Sequence, residues 1–255
     1  MMDMHSELEQ TMAFAQMERD RLDRVAAWYT NRHGISAMSG LAAADFITQE
    51  ARTGGAMLEM GCGKGVVTEL LADRFPGLEV VEAAEPNVRM VRDLLGDQVT
   101  VHHTLFEQFE PPHKYDHIVM GRMLGHVNAP EAVLGRAINW LAPGGRIHIV
   151  VPNAGSIHRR IGVAMGILDT IWSQSDNDVA VGQRRVFDRG SLTTLISLCG
   201  LKLLIVKGTL LKPFSSAQME SYTQKLLDAF YEVGQQLPPE FAAEIYACCE
   251  VADAG

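Results

Sequence analysis

Along the first fifty residues the apolar positions recur at helical spacing. Met17, Leu22, Val25 and Trp28 form one stripe of a helix over residues 11–29. Gly34 and Gly40 bracket a break, and "LAAADFITQEA" (41–51) reads as a second helix. From about Ala56 the pattern changes to short apolar runs separated by amphipathic stretches. "MLEM", "LEVVEAAE", "VTVHHTL", "YDHIVMG" and "RIHIVVP" predict five strands, with "KLLIVKG" and "AAEIYACCEV" as the sixth and seventh. Helices are predicted at "GVVTELLADRF", closed by Pro76-Gly77, at "VRMVRDLLG" and at "EAVLGRAINWL". The last has Pro130 near its start and a stripe of Leu134, Ala137, Ile138 and Leu141. Strands alternating with helices imply a mainly parallel sheet covered on both faces, an α/β fold.

Two segments fall outside this alternation, roughly 153–187 after the fifth strand and 209–240 between the last two. In open α/β sheets ligands bind beyond the carboxyl ends of the strands, where the first of these segments begins. The expected division is a helical cap (1–50), a nucleotide-binding core (51–152), a lid insertion (153–187) and the rest of the core (188–255) with its own insertion. In that insertion Met219, Tyr222, Leu226 and Phe230 share a stripe over 218–231. It reads as core packing, an apolar lid or a homodimer contact.

Composition narrows the partners. The 255 residues are 47% apolar and 21% charged, ordinary for a globular chain able to bury its own core. No apolar run approaches the roughly 20 residues that span a bilayer, so no membrane partner is expected. The acidic start "MMDMHSELEQ" lacks a signal-peptide pattern. A net charge of -9 argues against nucleic acid as principal partner, and "HRR" at 158–160 reads as a solvated helix face. Cys62, Cys199, Cys248 and Cys249 show no paired spacing, which suits a reducing cytoplasm.

The chemistry begins at "MLEMGCGKGVVTELL" (57–71). A P-loop needs a glycine five residues before Gly63 and Ser or Thr after Lys64, and this chain has neither. A dinucleotide turn needs Gly-x-Gly-x-x-Gly, but here the third glycine, Gly65, comes one residue early and Val66 takes its place. The pattern Glu59-x-Gly61-Cys62-Gly63-x-Gly65 resembles motif I of the class I S-adenosylmethionine (SAM)-dependent methyltransferases. The physical reason for glycine is that the turn's backbone comes close to the nucleoside and methionine, where a Cβ would obstruct it.

"EAAEPNVRM" is similar to that family's acid after the second strand, which accepts from both ribose hydroxyls. Glu85, followed by Pro86-Asn87 at a helix start, matches it better than Glu82, and the strand boundary leaves both open. After the third strand "HHTLFEQF" has no acid before Glu107, so backbone around Thr104–Phe106 is expected at the adenine, with Leu105 or Phe106 against the ring. "KYDHIVMGRMLGHVNAPEAVLGRAINWLAPGGRIHIVVPN" resembles the family's text across its fourth and fifth strands. There Asp116 opens the fourth strand, Met120-Gly121-Arg122 end it beside the methionine of SAM, and "LAPGG" turns into the fifth. Two residues depart from the family pattern: Gly125 stands where Glu is usual, and Gln183 where His is usual.

The resemblance covers about residues 50–210 and is closest in style to ubiquinone-biosynthesis-type and natural-product methyltransferases. It implies a Rossmann-like, mostly parallel seven-stranded sheet with its last strand antiparallel, helices on both faces and helical lids. It implies SAM as cofactor and a small-molecule acceptor methylated at oxygen or nitrogen. Where a base is needed His126 is the leading candidate, against a purely organising role in the turn. His158, Arg159, Arg185, Tyr29 and Tyr222 lie in lid segments and are candidates for contact with the acceptor, although each by itself reads as a surface or packing residue. No metal is expected: His102 and His103 point to opposite faces of a strand, and "SDND" (175–178) reads as a turn or cap. DNA amino-methyltransferases carry Asn/Asp-Pro-Pro-aromatic where this chain has "GRML", and "EPPH" (110–113) precedes the strand. The competing functions are a methylase of peptides and a non-catalytic SAM-binding regulator.

Overall fold

The computed structural model describes residues 4–28, 32–51 and 55–252. Helices α1 (Met4–Trp28) and α2 (Gly34–Glu50) come first, followed by β1 (Met57–Met60), α3 (Val66–Ala72), β2 (Leu78–Glu82), α4 (Glu85–Leu95), β3 (Val99–His103) and β4 (Tyr115–Gly121). Then come α5 (Pro130–Trp140), β5 (Leu141–Pro152), α6 (Ile157–Ala164), α7 (Asp176–Ala180), α8 (Arg189–Leu198), β6 (Leu201–Gly208), α9 (Ser216–Met219), α10 (Gln224–Gly234) and β7 (Glu244–Val251). The strands form one 7-stranded sheet in the order β3-β2-β1-β4-β5-β7-β6. Only β7 is reversed, pairing antiparallel with both β5 and β6.

Successive strand residues point to opposite faces, and the two faces carry separate cores. Leu58, Met60, Ile118, Met120, Ile147 and Ile149 pack under α5 and α8, with Leu134, Ala137, Leu192 and Ile196. Met57, Val80, Val119, Val150 and Tyr246 pack on the other face, with Phe46 and Ile47 of α2, Leu71 of α3 and Val91 of α4. A polar chain crosses this second core. His117 Nδ1 lies 3.1 Å from His148 Nε2, and His148 Nδ1 lies 2.8 Å from the Tyr246 hydroxyl, so these buried groups satisfy one another.

Four local expectations are corrected. Gly40 does not break the chain but lies inside α2, where a Cβ would stand 2.8 Å from Val66 Cγ1. The missing side chain lets α2 press on α3. Met17 is 70% exposed and leaves the α1 stripe, whose buried members are Ala15 and Ala26; the side chain of Trp28 lies outside the described residues. "LAPGG" belongs to β5 itself, so Leu141 is a strand residue rather than the end of α5. The stripe over 218–231 is divided between α9 and α10: Met219 and Leu227 are buried against Ile35, Met38 and Leu210, while Leu226 is exposed.

The carboxyl ends of β1, β2, β4, β5 and β6 and the start of β7 share one edge of the sheet. Neighbouring strands are roughly 4.8 Å apart, so the five steps from β2 to β6 span roughly 24 Å. That is room for a nucleoside over β2 and β1 and a second molecule over β5 and β7.

Candidate functional site

The turn after β1 is built from left-handed backbone. Gly61, Gly63 and Gly65 have φ of 80°, 50° and 71°, a region that strains any side chain-bearing residue. Gly65 begins α3 and donates its N–H to Cys62 O at 2.8 Å, while Gly61 N–H reaches Val81 O at 2.8 Å. A Cβ at Gly63 would meet nothing within 4 Å. The chain conformation, rather than crowding by protein, therefore requires that glycine, and its open side faces the cavity described below.

Glu59, on β1, is 1% exposed; the Thr68 hydroxyl lies beside its carboxyl, and its Oε2 has no hydrogen-bond partner among the described residues. Burial pushes its carboxyl pKa up to about 8. Glu82 ends β2 and is 7% exposed. One carboxylate oxygen accepts from Ala84 N–H at 2.8 Å, and the other from Asn87 Nδ2 at 3.3 Å, with Cys62 Sγ at 3.5 Å. Glu85 lies one turn further on, in the first turn of α4. Its carboxylate pairs with Arg89 at 2.5 Å and with His103 at 3.2 Å, and the bond from Arg89 holds its pKa below the usual range.

Glu59, Gly61, Gly63 and Glu82 open onto a cavity of about 510 Å³ along the carboxyl edge of the sheet. Of the residues singled out from sequence, Glu59, Gly61, Cys62, Gly63, Leu105, Phe106, Gly121, Arg122 and His126 line it, and so does Glu82. Gly65, Glu85, Pro86 and Met120 do not. Gly65 starts the helix beneath, Pro86 is in the first turn of α4, and Met120 is fully buried in the core. Of the residues that the sequence places in lid segments, His158 and Arg159 line the cavity. Arg185 instead clamps the loop after β4, donating to Val127 O and Asn128 O at 2.7 and 2.8 Å. Tyr222 packs on Phe230, and Tyr29 lies outside the described residues.

Over β5 and β7 the lining becomes charged. Arg122, immediately after β4, holds φ of 62°, the one positive value at a non-glycine among the described residues. Its guanidinium grips Glu244 in a fork, Nε–Oε1 at 2.6 Å and Nη2–Oε2 at 3.2 Å, which offsets a backbone cost of about 1 kcal/mol. Arg159 pairs with Asp178 at 2.9 Å, and Ser175 caps α7 through a capping box with Asp178. Asn153, closing "VPN", is buried; its amide donates to Pro239 O, Glu240 O and Ala242 O, tying β5 to the chain leading into β7. Burial holds the His126 imidazole below its ordinary pKa, so it is unprotonated at neutral pH.

Three groups of cavity-lining residues are not among those singled out from sequence as candidates for the site. One helix, α1, covers the cavity with Glu18, Arg21, Leu22 and Val25. Arg21 bonds Glu18 and reaches His126 O at 3.3 Å, and Arg184 joins Glu18 at 3.0 Å and His126 O at 2.9 Å. Lys64 and Asn87 form the second group: Lys64 Nζ donates to Ala26 O at 2.7 Å, pinning α1 to the glycine turn. Lys212 and Glu244 form the third, brought in by the order of β6 and β7. The two departures from the family pattern meet in space, because a Cβ at Gly125 would stand 2.7 Å from Gln183 Nε2. Among the described residues no group of three or more His, Cys, Asp or Glu is placed to hold a metal ion.

A seven-stranded sheet with one reversed strand, a glycine turn after β1 and an acid ending β2 define a class I methyltransferase fold, whose cofactor is SAM. Residues 31–205 match the family described as a methyltransferase domain, and the chain belongs to that family. A ubiquinone biosynthesis O-methyltransferase of Xylella fastidiosa (strain 9a5c) is 27% identical over 150 residues, covering 55% of this chain and 61% of the relative. The chain thus spans about three fifths of that relative's length. The CcbJ methyltransferase of Streptomyces caelestis superposes with a TM-score of 0.61 at 16% identity, over 90% of this chain and 97% of that one. The [4+2]-cyclase SpnF has the same fold, with a TM-score of 0.62 at 14% identity over 94% and 96%. No helix among the described residues is long and apolar enough to cross a membrane.

Proposed function

We propose that this protein transfers a methyl group from SAM to an oxygen or nitrogen of a small-molecule metabolite. The observation that carries the reading is the buried carboxyl of Glu59, one oxygen of which lacks a hydrogen-bond partner among the described residues, beside a left-handed glycine turn and next to the second acid, Glu82, on the neighbouring strand. A buried polar atom without a partner is costly, and a cationic ligand group nearby would relieve it. In this reading Glu59 serves the amino end of the cofactor, the Gly61–Gly63 backbone receives its body, and Glu82 accepts from the ribose hydroxyls. Leu105 and Phe106 supply the apolar wall for adenine. When bound, the cofactor supplies the reactive methyl group. The chain aligns the acceptor and excludes water, α1 and the 153–187 segment closing over the cavity as lids. The free cysteines support a reducing compartment, the cytoplasm.

His126 is the base in this reading. It lines the cavity after β4 and is held unprotonated, whereas His158 is pushed down to about 3 by burial and neighbouring cations, which leaves it a weak proton acceptor. Replacing His126 with Gln is expected to lower turnover about 100-fold without changing cofactor affinity. Undiminished turnover ends its candidacy. The fold's occurrence in a [4+2]-cyclase keeps a second reading in view, a SAM-binding protein that does not transfer the methyl group. Incubation with methyl-labelled SAM and a cell extract separates the two. A labelled product of low mass supports the enzyme, a labelled peptide redirects the substrate class, and binding without label transfer supports the regulator.

A further inference from the structure

The charges at the β5–β7 end of the cavity close on one another, with one exception. Arg122 is matched by Glu244, Arg159 by Asp178, and Arg21 by Glu18. Lys212, on the chain leaving β6, has no carboxylate within ion-pair distance among the described residues. Its ammonium donates to the Ser216 hydroxyl at 2.9 Å. Lys212, Ser216 and His158 all line this end, and His158 adds no charge because burial and the nearby Lys212 and Arg159 keep it neutral. The result is a net positive charge enclosed at the acceptor end of a chain whose overall charge is -9.

We propose that the acceptor substrate carries a carboxylate or similar anionic group, received by the Lys212 ammonium and the Ser216 hydroxyl at the β6–β7 end of the cavity. The inference rests on the methyltransferase reading for what lies across the cavity, since the cofactor's place over β1 and β2 leaves β5–β7 to the acceptor. An ammonium has three protons to donate, and one hydroxyl partner leaves capacity for an anion. Charge-assisted bonds formed away from water are the strong ones, so an enclosed lysine discriminates an acid from its uncharged amide. The same charge repels a cationic acceptor, which weighs against a basic peptide. Enclosure also holds the Lys212 pKa below that of a free lysine, against the opposing pull of Glu244 and Asp178, whose carboxylates are themselves paired with Arg122 and Arg159.

Benzoate and benzamide, equal in shape and different in charge, test the site by calorimetric titration of the full-length protein with and without saturating S-adenosylhomocysteine. Benzoate is expected to bind at least about tenfold tighter than benzamide, the scale of one charge-assisted bond. Lys212→Met should erase that preference, and Lys212→Arg, which keeps the charge but cannot act as a base, should retain it. Equal affinities, no binding of either, or a preference untouched by Lys212→Met would overturn the proposal. Loss of the preference in Lys212→Arg would overturn it too, since the lysine would then serve as something other than a fixed charge. Failure of S-adenosylhomocysteine to bind would instead count against the methyltransferase reading, and the titration without it would still report on Lys212.

Discussion

A Glu82→Gln variant is expected to bind S-adenosylhomocysteine about 10- to 100-fold more weakly than the wild type, the scale of one or two hydrogen bonds to a charged acceptor. A carboxylate can accept from two hydroxyls at once, and an amide cannot. Glu82 ends β2, lines the cavity and is oriented by Ala84 N–H and Asn87, so it is already aimed. Glutamine keeps the shape, and a thermal melt of the variant separates lost folding from lost affinity. Glu85→Ala is expected to change affinity by less than about twofold, because its carboxylate is engaged by Arg89 and His103 outside the cavity. The opposite pattern in calorimetry would return the ribose to Glu85.

Glu59 gives the second large effect, on stability and its pH dependence. Its ordinary pKa of 4.5 is raised to about 8 in the native state. Between those values the folded protein holds a proton that the unfolded chain has released, so stability falls as pH rises. The contribution is complete below about pH 4.5 and is lost progressively towards pH 8, with a ceiling on the order of 4–5 kcal/mol for such a shift. In Glu59→Gln that slope is expected to disappear, making the ligand-free variant a few kcal/mol more stable than the wild type at pH 8.5 but not at pH 5. Urea unfolding at the two pH values reads this directly. An identical slope in both proteins would mean that the carboxyl is not strained by burial. Cofactor affinity in the same variant is expected to fall under the proposed role of that carboxyl at the amino end of the cofactor.

Much of this was legible in the sequence where a local rule applied. The glycine turn is one case: three residues each need left-handed backbone, and only glycine takes it freely, so spacing alone excluded the P-loop and dinucleotide patterns. The alternation of strands and helices gave the sheet for a similar reason, since burial on both faces forces continuous apolar runs. What escaped was decided by contacts far apart in the chain. Glu82 and Glu85 are three residues apart, and only the end of β2 tells which faces the cavity. Gly40 read as a break because its partner, Val66, is distant in sequence. Lys212 carries no motif at all; it follows β6, whose carboxyl end lies at the edge shared with Glu59 and Glu82. The cover provided by α1 was legible as a cap but not in its contacts, because Arg21 and Lys64 act through backbone carbonyls that no sequence pattern marks.

Calorimetric titration of the purified protein with SAM and with S-adenosylhomocysteine reads out whether the cavity over β1 and β2 holds the cofactor. Saturable binding of both at one site is expected, weakened by Glu82→Gln and not by Glu85→Ala. A folded protein that binds neither would contradict it.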